Sequence, residues 1–166
     1  MGDILKILAV SDTHEDTAEL SRLLERFADD VQMVIHLGDY ANDLLKFQSK
    51  YPQLRMVAVA GNCDAYYGLN IERELLLNLG GKKILLTHGH YLGVKTGVDR
   101  LAYYALEKGA DACFFGHTHY AEIERRQGLF IMNPGSPNFP RGGSKQSYGI
   151  VEITKTGEII GEVFYI

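Results

Sequence analysis

The chain has 166 residues, 46% of them hydrophobic and 23% charged, and its 17 Lys and Arg against 21 Asp and Glu leave a net charge of −4 with the histidines neutral. These proportions are those of an ordinary globular protein and exclude long disorder and a fibrous class. A weakly acidic total argues against bulk electrostatic binding to nucleic acid or to an anionic membrane.

A chain of this length is expected to form a single domain, 1–166, burying roughly 70% of its unfolded surface, so it needs no disulfide to fold. Cys63 and Cys113 are too few for a disulfide framework and suit a reduced, cytoplasmic chain. No secretory leader is legible, and no apolar run approaches the ~20 residues of a membrane span.

In chain order, Ile4–Val10 predicts a buried strand, and Ala18–Asp29 a helix with Leu20, Leu23, Leu24 and Phe27 on one face and Asp16 or Thr17 as its cap. Val31–Leu37 is a second buried strand, Asp43–Lys50 a short helix stopped before Pro52, and Arg55–Ala60 a third strand. The alternation points to an α/β fold whose first sheet is largely parallel. Glu72–Asn78 and Lys83–Thr87 flank Gly80-Gly81 as a hairpin, Val98–Lys108 is a helix stopped at Gly109, and Ala112–Phe115 is a strand. Leu129–Met132, Tyr148–Ile153 and Ile159–Tyr165 read as antiparallel strands. Two sheets packed face to face with helices outside would share one core, which gives an α/β/β/α sandwich.

The polar residues at the strand ends carry the chemistry. Five apolar runs end in Ser11-Asp12-Thr13-His14, Gly38-Asp39, Gly61-Asn62-Cys63-Asp64, Thr87-His88-Gly89-His90 and Gly116-His117-Thr118-His119. Five of the six histidines lie there. Open α/β sheets bind ligands at the carboxyl ends of their strands. Carboxylate, imidazole and amide oxygen together suit borderline divalent ions such as Mn, Fe, Ni or Zn. D-x-H and H-x-H put alternate side chains on one side of an extended segment, so Asp12 with His14, and His117 with His119, can converge on a cleft. A single D-x-H or Gly-Asp is commonplace. Five such ends in one small domain point to a site for two metal ions.

Taken in order, D-x-H, G-D, G-N-x-D, H-G-H and G-H-x-H resemble the calcineurin-like metallophosphoesterase superfamily, over the span from Asp12 to His119. The short chain, the GNCD form and Asn133-Pro134-Gly135-Ser136 followed by Pro140-Arg141 resemble its small bacterial and archaeal phosphodiesterase branch. The resemblance implies the four-layer sandwich of two mixed sheets flanked by helices. It implies one ion on Asp12, His14 and His119, a second on Asn62, His88 and His117, and Asp39 bridging them. It also implies attack on a small phosphodiester by a hydroxide shared between the ions, manganese first among the metals and nickel, iron or zinc as alternatives. Two dications outweigh Asp12, Asp39 and a hydroxide, so an anionic substrate is drawn to an acidic protein. Many members carry His where this chain has Cys63, and that His is thought to protonate the leaving oxygen. With Cys63 there, His90 is the nearest other donor by sequence.

Several neighbours have plainer readings. His36 sits inside an apolar run as a hydrogen-bonded core group. Asp64 orients a neighbour or caps a turn, and Arg141 holds a substrate phosphate oxygen or is a loop arginine. His90 lines the cleft, Tyr66, Tyr67 and Tyr91 stack on substrate or pack on the surface, and Cys113 is core. The alternatives to a phosphodiesterase are a phosphomonoesterase with the same site and a protein-binding scaffold, since a retromer subunit has this fold. A nuclease would want a basic stripe that this chain lacks. Apolar strands near the C-terminus would suit a homodimer or a larger homo-oligomer.

Overall fold

A computed structural model describes residues 3–64 and 70–166. One five-stranded sheet has the order β10-β9-β1-β2-β3 and the other β4-β5-β6-β8-β7. In the first, β1 (Leu5–Val10), β2 (Met33–His36) and β3 (Arg55–Ala58) run parallel, with α1 (Ala18–Phe27) and α2 (Asn42–Leu45) in their crossovers. β9 (Ser147–Ile153) pairs antiparallel with β1, and β10 (Ile159–Tyr165) forms the edge. In the second, β4 (Glu74–Leu79) and β5 (Lys82–Thr87) form the expected hairpin through Gly80-Gly81. α3 (Asp99–Glu107) then crosses to β6 (Ala112–Phe114), parallel to β5. β7 (Ala121–Arg126) and β8 (Leu129–Pro134) complete this sheet.

The apolar runs are continuous because both faces of the central strands are buried. In β1, Ile7 and Ala9 point between the sheets against Ile84, Phe114 and Met132. Leu8 and Val10 point outward beneath Leu20 and Leu24 of α1. On the far side Leu101 and Ala105 of α3 cover Leu85, Cys113 and Ile131. The layers are therefore helix, sheet, sheet, helix.

The structure departs from the expected elements at four places. β7 falls where the sequence pattern predicts no strand: Ala-Glu-Ile-Glu-Arg-Arg has one large apolar residue, and as an edge strand it needs little burial. β8 is antiparallel only to β7 and runs parallel to β6, since the β7–β8 turn reverses the chain. The helix expected over Asp43–Lys50 stops at Leu45, after which Gln48 N–H to Leu45 O and Lys50 N–H to Phe47 O tighten the chain into three-residue turns. Thr17 precedes α1 without a side-chain capping bond, while the Asp16 carboxylate accepts from Ala18 N–H at 3.1 Å.

Candidate metal centre

Parallel strands end together, so the loops after β1, β2 and β3 meet those after β5 and β6 between the two sheets. Asp12 N–H donates to Gly38 O at 3.0 Å, Gly116 N–H to His88 O at 3.2 Å, and His117 N–H to the Asp12 carboxylate at 3.1 Å. The turns are sharp. Among the described residues eight that are not glycine have positive φ, and seven of them are Asp12, His14, Glu15, Asp39, Tyr40, His117 and His119. Left-handed backbone at Asp and His is tolerated best among residues with a Cβ, yet it still costs energy, and here it is concentrated at one place. The packing demands glycine at Gly38 (φ 100°), where a Cβ would lie 2.6 Å from His88 Nδ1 and 2.7 Å from Gly61 N.

The imidazoles are oriented from behind. His88 Nδ1–H donates to Leu37 O at 2.7 Å, and His119 Nδ1–H to Phe139 O at 2.6 Å. A neutral ring that donates through Nδ1 presents a bare lone pair at Nε2. His88 Nε2 lies 3.2 Å from Asn62 Oδ1, 3.2 Å from His117 Nδ1 and 3.4 Å from Asp39 Oδ1. His119 Nε2 lies 3.3 Å from His14 Nε2 and 3.3 Å from Asp12 Oδ1. Asp12 Oδ1 is buried and, among the described residues, has no hydrogen-bond partner. Electron-rich atoms gathered this closely repel unless a cation lies among them, so the donor set fits metal.

The donors form two groups, Asp12, His14, Asp39 and His119 in one and Asp39, His88 and His117 in the other, each within 4.8 Å of one another. Asp39 is common to both, and the Asn62 oxygen adjoins the second. Burial works against the Asp12 charge, but the adjacent His119 and His88 rings and the Ser11 hydroxyl outweigh it and hold this carboxyl below its usual range. Burial likewise opposes the Asp39 charge, and His88 with the Cys63 amide lowers its pKa well below the ordinary carboxylate value. Burial and the nearby His88 depress His117 to about 4. Burial opposes a charge on His88, but Asp39 and Asp12 outweigh it and raise this imidazole above its ordinary value. The ionised carboxylates and neutral His117 are thus already in the states metal binding requires, and a metal at His88 competes with a proton.

Three further structures hold the loops. Asp64 is buried, and its carboxylate accepts from Asp39 N–H at 2.9 Å, Gly61 N–H at 2.7 Å and Ala41 N–H at 2.9 Å. This places it behind the donors as a clamp between the Asp39 and Asn62 loops. Ser136 Oγ–H donates to Asp12 O at 2.8 Å, and Asn138 Nδ2–H to Thr13 O at 3.0 Å. In the third, Gly38 N–H donates to His36 Nδ1 at 3.1 Å, so His36 Nε2–H donates to Thr13 Oγ1 at 2.9 Å and the threonine hydroxyl to Asp43 Oδ2 at 2.7 Å. His36 is thus the hydrogen-bonded core group its place in an apolar run implies. Sequence alone gave no signal for Thr13, Asp43 or Asn138, because such partners are set by tertiary contact.

The His36 network makes a stability prediction. Complete burial, against the pull of Asp12 and Asp64, depresses His36 from 6.5 to about 4. Between those values the unfolded chain binds the extra proton, so its contribution is full above pH 6.5 and lost as pH falls toward 4. We expect wild type to lose roughly 3 kcal/mol more than His36→Gln between pH 7 and pH 4. Urea unfolding of both proteins across that range measures it, and parallel pH profiles would refute it.

The remaining candidates lie around the donors. Cys63 N–H donates to Asp39 Oδ1 at 2.9 Å, and its thiol is half-buried beside Asn62 Nδ2 at 3.6 Å. The His90 ring lies 5.3 Å from His88 and 5.9 Å from His117, outside both donor groups. Arg141 is exposed at a cavity it lines with His14, His119, Phe139 and Pro140. Tyr91 stands 60% exposed with its ring 4.1 Å from that of His90. Cys113 is buried in the core, and Tyr66 and Tyr67 lie outside the described residues.

The model of the calcineurin-like phosphoesterase superfamily domain matches residues 5–156. The chain is 37% identical to the probable metallophosphoesterase YsnB of Bacillus subtilis over 150 residues, 90% of this chain and 85% of that protein. It is 29% identical to the phosphodiesterase YfcE of Escherichia coli K12, covering 90% of this chain and 88% of YfcE. A crystal structure of a predicted phosphoesterase from Streptococcus pneumoniae superposes with a TM-score of 0.76 at 28% identity, over 99% of both chains. Vps29 of Entamoeba histolytica superposes at 0.75 over 98% of this chain and 99% of that one, and at 21% identity the likeness is one of fold alone.

Proposed function

Because the chain belongs to the calcineurin-like phosphoesterase superfamily, we propose that it is a metal-dependent phosphodiesterase that hydrolyses small phosphodiesters at a site for two divalent ions. The observation that carries this reading is the pair of imidazole Nε2 atoms facing carboxylate oxygens, with the buried Asp12 Oδ1 left without a hydrogen-bond partner among the described residues. Asp12, His14 and His119 would hold one ion and Asn62, His88 and His117 the other, with Asp39 common to both. Manganese is the first choice for this donor set, with nickel, iron or zinc as alternatives. Two such ions would supply a nucleophilic water at neutral pH and charge stabilisation on the phosphoryl oxygens.

The chain's own residues do the rest. The left-handed turns and the Asp64 clamp fix the donors before substrate arrives, so no reorganisation is needed at reaction. Arg141, exposed on the His14–His119 side, supplies a fork of donors for a non-bridging phosphate oxygen. The YfcE relationship and the lack of a basic stripe favour a small diester over a polymer. No helix among the described residues is long and apolar enough to cross a membrane.

Proton delivery to the leaving oxygen is the weak point of this site. Burial and the neighbouring Asp39 push the Cys63 thiol up to about 12. Burial and His88 hold His90 below its ordinary value, so it is mostly neutral at pH 7. Neither is a ready acid there. We therefore expect rates to fall steeply as the leaving alcohol becomes more basic, and Cys63→Ser to leave that slope unchanged. Cys63→His should raise turnover of a dialkyl diester, whose leaving group is an alkoxide, by about tenfold over wild type, short of the roughly 10²–10⁴-fold of a fully positioned general acid. A slope that steepens in Cys63→Ser would identify the thiol as the donor.

The reading is tested with bis-p-nitrophenyl phosphate and p-nitrophenyl phosphate, metal-free and with Mn added. Mn-dependent diester cleavage, abolished by chelator and in His117→Ala, is expected. Preference for the monoester would make the protein a phosphomonoesterase. No turnover of either ester despite bound metal would favour a protein-binding scaffold.

A further inference from the structure

A second cavity, about 270 Å³, opens on the Asn62 side of the donors and is lined by Asn62, Asp64, Ile71, Arg73, His90 and Tyr91. It lies across the site from the cavity of Arg141, about 320 Å³, on the His14–His119 side. The site therefore has room for two ester arms, and each side has an arginine.

Arg73 is the unexplained one. Its guanidinium stands 4.8 Å over the Tyr91 ring, a cation–π contact that places it without using its N–H groups. Among the described residues it makes no ion pair or hydrogen bond, although the chain carries 21 carboxylates. Its backbone is fixed from behind, because Ala60 N–H donates to Glu72 O at 2.8 Å and ties this segment to the exit of β3. Next to it, His90 Nδ1 is buried and lacks a partner. Asp64 shares the cavity wall, but its oxygens are taken by three amides. A positioned guanidinium whose donors are unpaired among the described residues, in a recess that adjoins the proposed phosphate site, is arranged for a second anion.

We propose that this cavity binds one ester arm of the substrate and that the arm carries an anionic group, which Arg73 pairs with from its seat on Tyr91. The proposal rests on the phosphodiesterase reading above and narrows it to diesters with a charge beyond that of the phosphodiester itself. Carboxylate and phosphate substituents share the required chemistry.

The test separates binding from turnover. Phenylphosphonate and 3-carboxyphenylphosphonate have a phosphorus–carbon bond that cannot be hydrolysed as an ester. Calorimetry with the Mn-loaded protein should show the carboxylated compound binding about tenfold tighter, the ratio falling toward one in Arg73→Gln and Tyr91→Leu and being partly kept in Arg73→Lys. Arg141→Gln should weaken both compounds and keep the ratio. A ratio near one in wild type, or a ratio unchanged in Arg73→Gln, overturns the inference. Turnover is compared on bis-p-nitrophenyl phosphate and its bis(3-carboxy-4-nitrophenyl) analogue, with kcat/KM favouring the latter through KM. An Arg73-dependent binding ratio without turnover of either diester would sink the phosphodiesterase reading and leave the anion subsite standing. A second phosphodiester substituent bearing phosphate in place of carboxylate distinguishes the two sources by which gives the larger ratio.

Discussion

Asp39→Asn is expected to lower kcat/KM for bis-p-nitrophenyl phosphate by about 10³-fold, equivalent to the several kcal/mol that metal-borne charge supplies to such reactions. Asp39 is the one side chain present in both donor groups. Its Oδ1 lies 3.4 Å from His88 Nε2 and its Oδ2 3.7 Å from His14 Nε2. Asparagine keeps the shape and can still accept from Cys63 N–H, so the loop is not expected to collapse. It removes one negative charge and can offer only one oxygen where two are used. Metal analysis should find fewer than two Mn per chain in the variant. The rise in Tm that Mn gives the wild type, the ordinary consequence of a ligand that binds only the folded state, should shrink with it. Retention of two ions and of a tenth of the activity would show that Asp39 does not join the two groups.

The difference in legibility between parts of this molecule has a physical cause. The strands β1, β2, β5 and β6 are buried on both faces, so their sequences are unbroken apolar runs, and where each run stops the donor residue stands at the stop. Strand end and donor are therefore one signal. β7 is hidden because an edge strand with charged residues on alternate positions needs no apolar run at all. The clamp was half visible. Asp64 stands within the Gly61-Asn62-Cys63-Asp64 segment, but whether it faces reactants or backbone is decided by Asp39 and Ala41, more than twenty residues away in the chain. Arg73 lies in no motif. Only the approach of the segment before β4 to Tyr91 shows that its guanidinium is held.

Asp64 is where stability and activity should fail together, and the two can be told apart. Its carboxylate accepts three buried amide hydrogens, from residues on two loops that each carry a donor. Bonds to a charged acceptor are worth about 1.5–3 kcal/mol each, and buried amides left without one incur a desolvation cost. Those amides stay buried in Asp64→Ala, so we expect it to unfold about 3–5 kcal/mol more easily, near the upper end for a single substitution. Asp64→Asn is the more informative variant. Its oxygen can still accept, but its amide group meets an N–H where an oxygen stood, so the Asp39 and Asn62 loops separate slightly while the fold survives. Metal affinity and kcat should then fall by about 10–100-fold, the usual effect of losing a group that orients metal ligands. Because the hydrogen bonds of Asp64 among the described residues all go to backbone, excess Mn should recover much of the activity of Asp64→Asn and little of that of Asp39→Asn. Metal titrations of kcat for the two variants make the comparison. An Asp64→Asn protein that binds Mn as tightly as wild type yet turns over 100-fold slower would instead place Asp64 in the proton chemistry of the reaction.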